Sequence, residues 1–184
     1  MTLHNSDCDF AYRHSLFKTP AGSDLIVTGI QLELSQQDNP VITYQALQEA
    51  LSNNTPTAMD VFRKVCQMRT AKLPDPAIIG NAGSFFKNPV VTRQQVDRLR
   101  EDYPDIPVYP QSENLCKLPA AWLIDQAGWK GYRKYGVGVH DRQALVLVNY
   151  GGGNGQRIAT LADEIRTDVK NRYGIELERE PVLY

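Results

Sequence analysis

Hydrophobic and polar residues alternate most regularly near the N-terminus. Within residues 24–34, every second residue from Ile30 to Leu34 is apolar and the residues between are polar, which predicts a strand buried on one face. An unbroken apolar run over residues 144–148 predicts a second strand that is buried on both faces. The tail, residues 175–184, is predicted to return as a strand.

Apolar residues at helical spacing predict the helices of the N-terminal part. Tyr44 opens a short helical pattern, which is broken at Asn53-Asn54. Thr55-Pro56 offers a cap followed by proline at the first helical position, so we predict a helix over residues 56–70. The segment Leu73-Pro74-Asp75-Pro76 cannot continue a helix and is interpreted as a hinge between two lobes.

Three further helices are predicted beyond this hinge. Thr92-Arg93-Gln94-Gln95 is a capping box for a helix that stops by Pro104. Residues 118–126 form the second helix and residues 156–172 the third, which ends at Gly174. Because helices and short strands follow one another without a regular βαβ rhythm, the predicted fold class is α+β.

The composition is that of an ordinary globular protein of one or two domains. The chain has 184 residues, of which 42% are hydrophobic and 22% charged, and its net charge is −1. A charge balance so close to neutral gives no reason to expect nucleic acid or an anionic membrane as a partner. No apolar stretch of the sequence is long enough to suggest a membrane span.

The cysteines and histidines indicate neither cross-links nor a metal site. Cysteines stand at positions 8, 66 and 116, an odd number without a Cys-x-x-Cys pair, so no disulfide framework is expected. The histidines at positions 4, 14 and 140 lack ligand spacing, and we expect no metal. Because the N-terminal residues are polar and do not resemble a signal peptide, we expect a cytoplasmic protein.

The run Gly80-Asn81-Ala82-Gly83-Ser84-Phe85-Phe86-Lys87-Asn88-Pro89, here called the serine segment, concentrates the candidate chemistry. Its glycines let the backbone approach a ligand closely, and Ser84 supplies a short proton donor. Lys87 suits a phosphate or carboxylate, and Asn88 offers both a donor and an acceptor. On the residues alone, a tight turn anchored in the core by two phenylalanines explains this run better than a site does.

Two other patterns are set aside. Gly151-Gly152-Gly153-Asn154-Gly155 follows a predicted strand and precedes a helix, but Gln156 occupies the last glycine position of a nucleotide-binding loop. We therefore predict a flexible linker there. Ser84 together with His140 would suggest a hydrolase, but the Gly-x-Ser-x-Gly elbow is missing.

The serine segment, followed by Val90-Val91, resembles the signature of the bacterial UDP-N-acetylenolpyruvoylglucosamine reductases, the flavin- and NADPH-dependent MurB family. Tyr12-Arg13-His14-Ser15-Leu16-Phe17-Lys18 resembles the Tyr-Arg-(Asp/His)-Ser-x-Phe-Lys segment of that family. Further stretches resemble the family in the family's own order: residues 68–76, 117–126, 129–131, 139–140 and 143–149. The likeness covers nearly the whole chain.

The resemblance implies three parts. Residues 1–72 would be the C-terminal part of an FAD-binding domain of the vanillyl-alcohol-oxidase type, and residues 73–177 the substrate-binding domain. Residues 178–184 would be a terminal strand that returns to the flavin lobe. Family members are longer and carry glycine-rich flavin loops that are missing here. We therefore interpret the chain as the C-terminal part of such a reductase and expect that it does not retain FAD tightly by itself.

The same resemblance implies three residues that take part in the chemistry. Ser84 would give a proton to the substrate double bond while hydride arrives on the other face. The carboxyl group of Glu178 would share a proton with the substrate carboxylate-enol and so stabilise the negative charge that develops there, although without the family Glu178 is simply a solvated strand residue. Arg13 would contact the substrate carboxylate beside the flavin, so Arg13 and Ser84 are also the expected cofactor contacts. The expected substrate-binding residues are Tyr44, Lys72, Asn88, Tyr109, Lys130 and Gln143.

The implied activity is the reduction of UDP-N-acetylglucosamine enolpyruvate to UDP-N-acetylmuramate for peptidoglycan synthesis. The resemblance implies a monomeric full-length enzyme with FAD as cofactor and NADPH as reductant. Two alternatives stay open. The chain could be a UDP-sugar-binding module without catalysis, or an inactive truncated fragment whose unpaired strand leaves an exposed edge and apolar surface.

Overall fold

The computed structural model of the protein describes residues 1–51 and 55–182. Helices and short strands are mixed within them, which confirms the α+β class. The helices are α1 (Gln45–Ala50), α2 (Ala58–Lys72), α3 (Arg93–Asp102), α4 (Ala120–Gln126) and α5 (Gly155–Tyr173). The strands are β1 (Gly80–Ser84), β2 (Val90–Thr92), β3 (Tyr109–Pro110), β4 (Leu115–Lys117), β5 (Arg133–Lys134), β6 (Val137–Val139) and β7 (Val146–Asn149). Over these described ranges, no helix combines the length and apolar character needed to cross a membrane.

The strands form two antiparallel sheets. One sheet has the order β1-β7-β6-β5, and the other has the order β2-β4-β3. Strand β1 pairs with β7, and the register shifts between Asn81 and Ser84. Ser84 therefore stands at the end of β1, where regular pairing gives way to an irregular stretch.

One hydrophobic core joins α3, α4, α5, both sheets and the tail. Helix α5 contributes an apolar stripe at helical spacing, of which Ile165 and Val169 are fully buried. Phe85 and Phe86 of the serine segment are 2% and 1% exposed and meet edge to face. The two rings anchor the serine segment in the core, as the pattern of the segment suggested.

Local capping signals fix the ends of α3 and α5. The Thr92 hydroxyl accepts a hydrogen bond from the Gln95 N–H at 3.2 Å, and the Gln95 side chain accepts one from the Thr92 N–H at 2.9 Å. Asn154 caps the start of α5, and Gly174 ends it with a φ of 65°. The predicted capping box, the C-terminal stop and the two helices at 118–126 and 156–172 are thus confirmed to within a few residues.

Helix α2 begins two residues later than predicted. Thr57, rather than Thr55, is its cap, and Thr57 and Asp60 exchange hydrogen bonds as a capping box. The hydrogen bonds from the Thr57 hydroxyl and then from its backbone N–H lower the pKa of Asp60. The predicted break at Asn53-Asn54 lies outside the described residues.

Two predicted strands are wrong or much reduced. Residues 24–34 are not a strand, and Leu32 and Leu34 are 72% and 79% exposed. A strand needs a neighbour for its backbone groups, and no described segment pairs with this one. The tail forms a single isolated bridge, between Phe86 and Arg179, instead of a strand over its whole length, and residues 183–184 lie outside the described part.

The glycine run 151–155 is a turn held by side-chain hydrogen bonds and not the predicted flexible linker. The Asn149 side-chain oxygen accepts from the N–H groups of Gly151 and Gly153 at 3.0 and 3.2 Å. The Arg157 guanidinium donates to the carbonyls of Tyr135 and Gly152 at 3.0 and 2.9 Å. Side chains on both sides therefore fix the backbone of this turn.

Candidate functional site

The serine segment is held by backbone hydrogen bonds along both of its edges. The Phe85 N–H donates to the Leu145 carbonyl at 2.8 Å, and the Phe85 carbonyl accepts from the Glu180 N–H at 2.9 Å. The Lys87 N–H donates to the Glu178 carbonyl at 2.9 Å. The tail therefore runs antiparallel to the serine segment and brings Glu178 and Glu180, here called the two tail glutamates, beside it.

Ser84 directly precedes this paired stretch. The residue is exposed, and its hydroxyl makes no hydrogen bond to any described residue. The sequence-predicted proton donor is thus accessible, and both its donor and its acceptor capacity are open.

The two tail glutamates lie in different surroundings. The Glu178 side chain is 71% exposed, and its carboxylate pairs with the Lys87 ammonium. The Glu180 side chain is 22% exposed, and its Oε1 accepts from Arg13 at 2.5 Å. Oε2 of Glu180 is buried and has no hydrogen-bond partner among the described residues. Such an unpaired buried oxygen is rare and calls for a functional explanation.

Arg13 stands at the tip of a tight turn. Ala11 and His14 form two backbone hydrogen bonds of 3.2 Å with each other, which leaves Tyr12 and Arg13 between them. Arg13 has a φ of 56°, a left-handed conformation that is uncommon outside glycine and often found at functional sites. The Lys117 ammonium lies 4.9 Å from the centre of the Tyr12 ring, so the turn rests against β4.

Asn88 lies in the serine segment, and Tyr109 lies in the sheet that follows the segment, two strands from β2. The Asn88 side-chain oxygen accepts from the Ala120 N–H at 2.9 Å, while its side-chain NH₂ group has no partner among the described residues. Tyr109 is 52% exposed and lies directly opposite Lys117 in the β3–β4 pair. Opposed residues of an antiparallel pair share a face, so Tyr109 and Lys117 lie on the same exposed side of this sheet.

Gln143 is connected to the serine segment through one intermediate residue. Its side-chain oxygen accepts from the Leu145 N–H at 3.4 Å, and the Leu145 carbonyl is the acceptor for Phe85. The loop that carries Gln143 is therefore connected to the far edge of the serine segment through Leu145.

Lys130 lies on the loop between α4 and β5, where its ammonium pairs with Asp125. The neighbouring Trp129 donates from Nε1 to Asp168 of α5 at 2.8 Å, which fixes this loop. Partial burial raises the pKa of Asp168, but hydrogen bonds from Arg172 and Trp129 outweigh burial and hold that pKa below its ordinary value.

Tyr44 and Lys72 are not joined to the serine segment by a hydrogen bond or ion pair among the described residues. Tyr44 precedes α1 and is 60% exposed, and Lys72 is the exposed last residue of α2. The Ala71 carbonyl accepts from the Arg142 guanidinium at 2.9 Å, which ties the end of α2 to the loop that carries Gln143.

The structure thus pairs Arg13 with Glu180 of the tail, and the tail with the backbone that follows Ser84. Of the six predicted substrate-binding residues, only Asn88 belongs to the serine segment itself. Glu180 is the residue that sequence reasoning missed. The Leu-Glu-x-Glu motif contains both glutamates, and only the partner of Arg13 distinguishes them. Among the residues the structure describes, no group of three or more His, Cys, Asp or Glu side chains could hold a metal ion.

The described site combines an exposed serine hydroxyl, an arginine–carboxylate pair on the adjoining tail, and a lysine of the serine segment, on an α+β scaffold. Residues 75–184 match the family described as "UDP-N-acetylenolpyruvoylglucosamine reductase, C-terminal domain". The chain belongs to this reductase family.

Similar curated proteins, all named UDP-N-acetylenolpyruvoylglucosamine reductase, come from several bacteria. The Pseudomonas aeruginosa protein is 49% identical over 180 residues, which is 96% of this chain and 53% of the relative. The Chromobacterium violaceum protein is 48% identical over 185 residues, or 99% of this chain and 54% of the relative. The Porphyromonas gingivalis protein is 45% identical over 180 residues, or 97% and 53%. The chain thus spans about half the length of the curated relatives it matches.

Proposed function

We propose that this chain supplies the substrate-binding and proton-donating part of a reductase that converts UDP-N-acetylglucosamine enolpyruvate to UDP-N-acetylmuramate in peptidoglycan synthesis. The observation that carries the proposal is the pair of Arg13 and Glu180, whose backbone N–H donates to the carbonyl of Phe85, the residue directly after Ser84. Family membership supports the type of reaction. The other half of the relatives' length would supply the rest of the enzyme.

The cofactor of this reductase would be FAD, with NADPH as the reductant, and the bound flavin supplies the hydride. Arg13 and Ser84 are the residues of this chain that would contact it. The Ser84 hydroxyl and Oε2 of Glu180 have no hydrogen-bond partner among the described residues. Both atoms can therefore still form hydrogen bonds, as expected for residues that bind a polar ligand. We expect the chain alone to retain FAD weakly.

Ser84 would hold the proton that the substrate carbon takes up. A serine hydroxyl is a weak acid, so a cation must stabilise the alkoxide that it leaves. Lys87, three residues further along the serine segment and already paired with the tail, is the candidate for this cation. The planar guanidinium of Arg13 matches the substrate carboxylate in shape and charge.

Of Glu178 and Glu180, we assign to Glu180 the carboxyl group that shares a proton with the enol intermediate and so stabilises its negative charge. Glu180 lies against Arg13 and its side chain is 22% exposed, so water competes little for that hydrogen bond. The Glu178 side chain is 71% exposed, so water competes for its hydrogen bonds. In the alternative, Glu178 itself stabilises the charge, as its place in the family motif implied.

The substrate-binding roles follow from chemistry and position. Lysine ammonium groups and a phenol suit a diphosphate, and side-chain amides suit a sugar or a base. Asn88 keeps its NH₂ group available while its oxygen caps α4. We propose that Lys72, Tyr109 and Lys130 bind the diphosphate, that Asn88 and Gln143 bind sugar or uracil, and that Tyr44 closes over the substrate.

The cysteines bear on location. Cys8, Cys66 and Cys116 are free thiols. Free thiols persist in a reducing compartment, and we therefore propose that the reaction takes place in the cytoplasm.

The proposal is tested by joining this chain to the preceding half of the Pseudomonas aeruginosa relative and measuring NADPH oxidation with the enolpyruvyl substrate. We expect turnover, and we expect Ser84→Ala to slow the substrate-dependent step by about 10²–10⁴-fold while flavin reduction by NADPH continues. Ser112→Ala, at an exposed serine between β3 and β4, is the matched control.

A joined protein that binds substrate without oxidising NADPH would favour the binding-module alternative. Parent-like turnover in Ser84→Ala would show that another group donates the proton.

A further inference from the structure

Arg179 lies between Glu178 and Glu180 in the sequence, and its side chain points to the face of the tail opposite to theirs. It forms an antiparallel bridge with Phe86, and opposed residues in such a bridge place their side chains on the same face. Phe86 is 1% exposed, so this face is turned toward the core. Glu178 and Lys87 oppose each other on the other face, in agreement with their ion pair.

The Arg179 side chain is clamped onto helix α5. Its Nη2 lies 2.5 Å from Asp163 Oδ1 and donates to the Ala159 carbonyl at 3.1 Å, one helical turn away. Asp163 also pairs with Arg166 at 3.2 Å, and Arg166 in turn donates to the Leu177 carbonyl at 2.9 Å. Two arginines therefore connect the tail to one carboxylate of α5.

This clamp is the side-chain attachment to α5 nearest to Glu180, and further back along the tail Glu176 pairs with Lys170 at 3.3 Å and with Arg166 at 3.6 Å. The Arg179 side chain is 20% exposed and the Asp163 side chain 58% exposed, so water screens part of the ion pair, to which the hydrogen bond with the Ala159 carbonyl adds. Helix α5 is a firm reference, because Ile165 and Val169 are fully buried in the core. On the other side, two backbone hydrogen bonds connect residues 178–180 to the serine segment.

We propose that Arg179, held by Asp163, is a positioning residue that fixes Glu180 opposite Arg13 and so sets the geometry of the Ser84 site. This inference rests on the proposed function. Successive side chains of the extended tail point to opposite faces. When Arg179 is held against α5, the Glu180 side chain therefore lies on the opposite face, where it pairs with Arg13. A catalytic group that is displaced by about 1 Å can lose about 10²-fold in rate, so the clamp acts on the chemical step.

The test uses two neighbouring carboxylates of α5 in the joined reductase described above. Asp163→Asn breaks the clamp, and Glu164→Gln breaks the ion pair with Lys134, which does not touch the tail. We expect Asp163→Asn to lower kcat by about 10- to 100-fold with KM for the substrate and flavin reduction by NADPH unchanged. We expect Glu164→Gln to behave like the parent, and Arg179→Lys to retain more activity than Arg179→Met.

A second measurement uses the isolated chain and needs no catalysis. The N–H groups of Lys87 and Glu180 carry the two hydrogen bonds between the serine segment and the tail, so their hydrogen exchange reports tail opening. Asp163→Asn is expected to speed their exchange by about tenfold and Glu164→Gln to leave it unchanged.

The outcomes separate this inference from the function on which it rests. Unchanged exchange in Asp163→Asn, or faster exchange with parent-like kcat in an active joined reductase, would overturn the positioning role and leave the proposed function intact. A joined parent without reductase activity would overturn the proposed function, and this inference with it.

Discussion

The side-chain oxygen of Asn88 accepts a hydrogen bond from the N–H of Ala120 at 2.9 Å, so the serine segment caps helix α4. The residue before this helix is Pro119, which has no side-chain acceptor of its own. The first N–H groups of a helix need partners from outside the helix, and Asn88 satisfies one of them from another element. The same side chain thus supports the fold and remains available to a ligand through its NH₂ group.

Stability and ligand binding can be separated at Asn88. We expect Asn88→Ala to lower the free energy of unfolding by about 1 kcal/mol, because the cap is lost. We expect Asn88→Asp to retain stability, since it keeps the acceptor and adds a negative charge near a helix N-terminus, but to lose the donors that a ligand would use. Urea denaturation and substrate titration of the joined protein measure the two effects. Equal stability of Asn88→Ala and the parent would contradict the capping role.

The two tail glutamates are expected to differ in their effect on turnover. In the joined reductase, we expect Glu180→Gln to lower kcat by about 10²–10³-fold, because an amide cannot share a proton with the intermediate as a carboxyl group can. Glu178→Gln is expected to cost less than about tenfold, because the Glu178 side chain is 71% exposed and already pairs with Lys87. Steady-state kinetics with both variants compares them directly, and the reverse order would return the role to Glu178.

The stability of the chain should depend on pH through Asp168. Its lowered pKa means that the folded state holds fewer protons than the unfolded state near the ordinary aspartate value of about 3.9. The carboxylate therefore stabilises the fold above that pH, and this contribution is lost as the pH falls through the folded-state pKa.

We accordingly expect Asp168→Asn to be destabilising at neutral pH and to approach the parent as the pH falls below the ordinary aspartate value of about 3.9. Urea denaturation at several pH values measures the difference. Asp105→Asn, at an exposed position after α3, is the control, and at neutral pH we expect it to change the free energy of unfolding by less than about 0.5 kcal/mol. A constant difference between Asp168→Asn and the parent at all pH values would contradict the prediction.

The apolar face of residues 24–34 gives a prediction about partners. Leu32 is 72% exposed, so Leu32→Ala in the isolated chain should change the free energy of unfolding by less than about 0.5 kcal/mol. Leu147→Ala, at a residue that is 1% exposed, should cost about 2–5 kcal/mol. In the protein joined to the preceding half of a relative, Leu32→Ala is expected to become destabilising. A core-like cost of Leu32→Ala in the isolated chain would mean that this face is already packed.

The sequence predicts best those features whose causes are local. The reciprocal bonds of Thr92 and Gln95 lie within four residues, and Gly174 ends α5 through its own backbone preference. The start of α2 was misplaced because Thr55-Pro56 satisfies the same local rule as Thr57, and only the position of Asp60 decides between them.

Features that depend on distant partners could not be predicted from spacing. The alternation at Leu32 indicates a strand only if another segment supplies the hydrogen bonds. Likewise, the choice between Glu178 and Glu180 depends on which of them meets Arg13, a residue 167 positions from Glu180 in the sequence. The resemblance to the family identified the Leu-Glu-x-Glu motif, whereas only the structure shows which of its glutamates pairs with Arg13.

The hydrogen bond from Arg142 to the Ala71 carbonyl lies between Lys72 and Gln143, the two proposed ligand contacts at the end of α2 and in the loop before β7. Lys72 and Gln143 stand on either side of this one exposed contact, which is worth about 1 kcal/mol. Opening it uncovers little apolar surface, since helix α2 buries none of its residues fully. The distance between the Lys72 and Gln143 side chains is therefore constrained by few contacts among the described residues, so under the proposed function we expect it to adjust when a ligand binds.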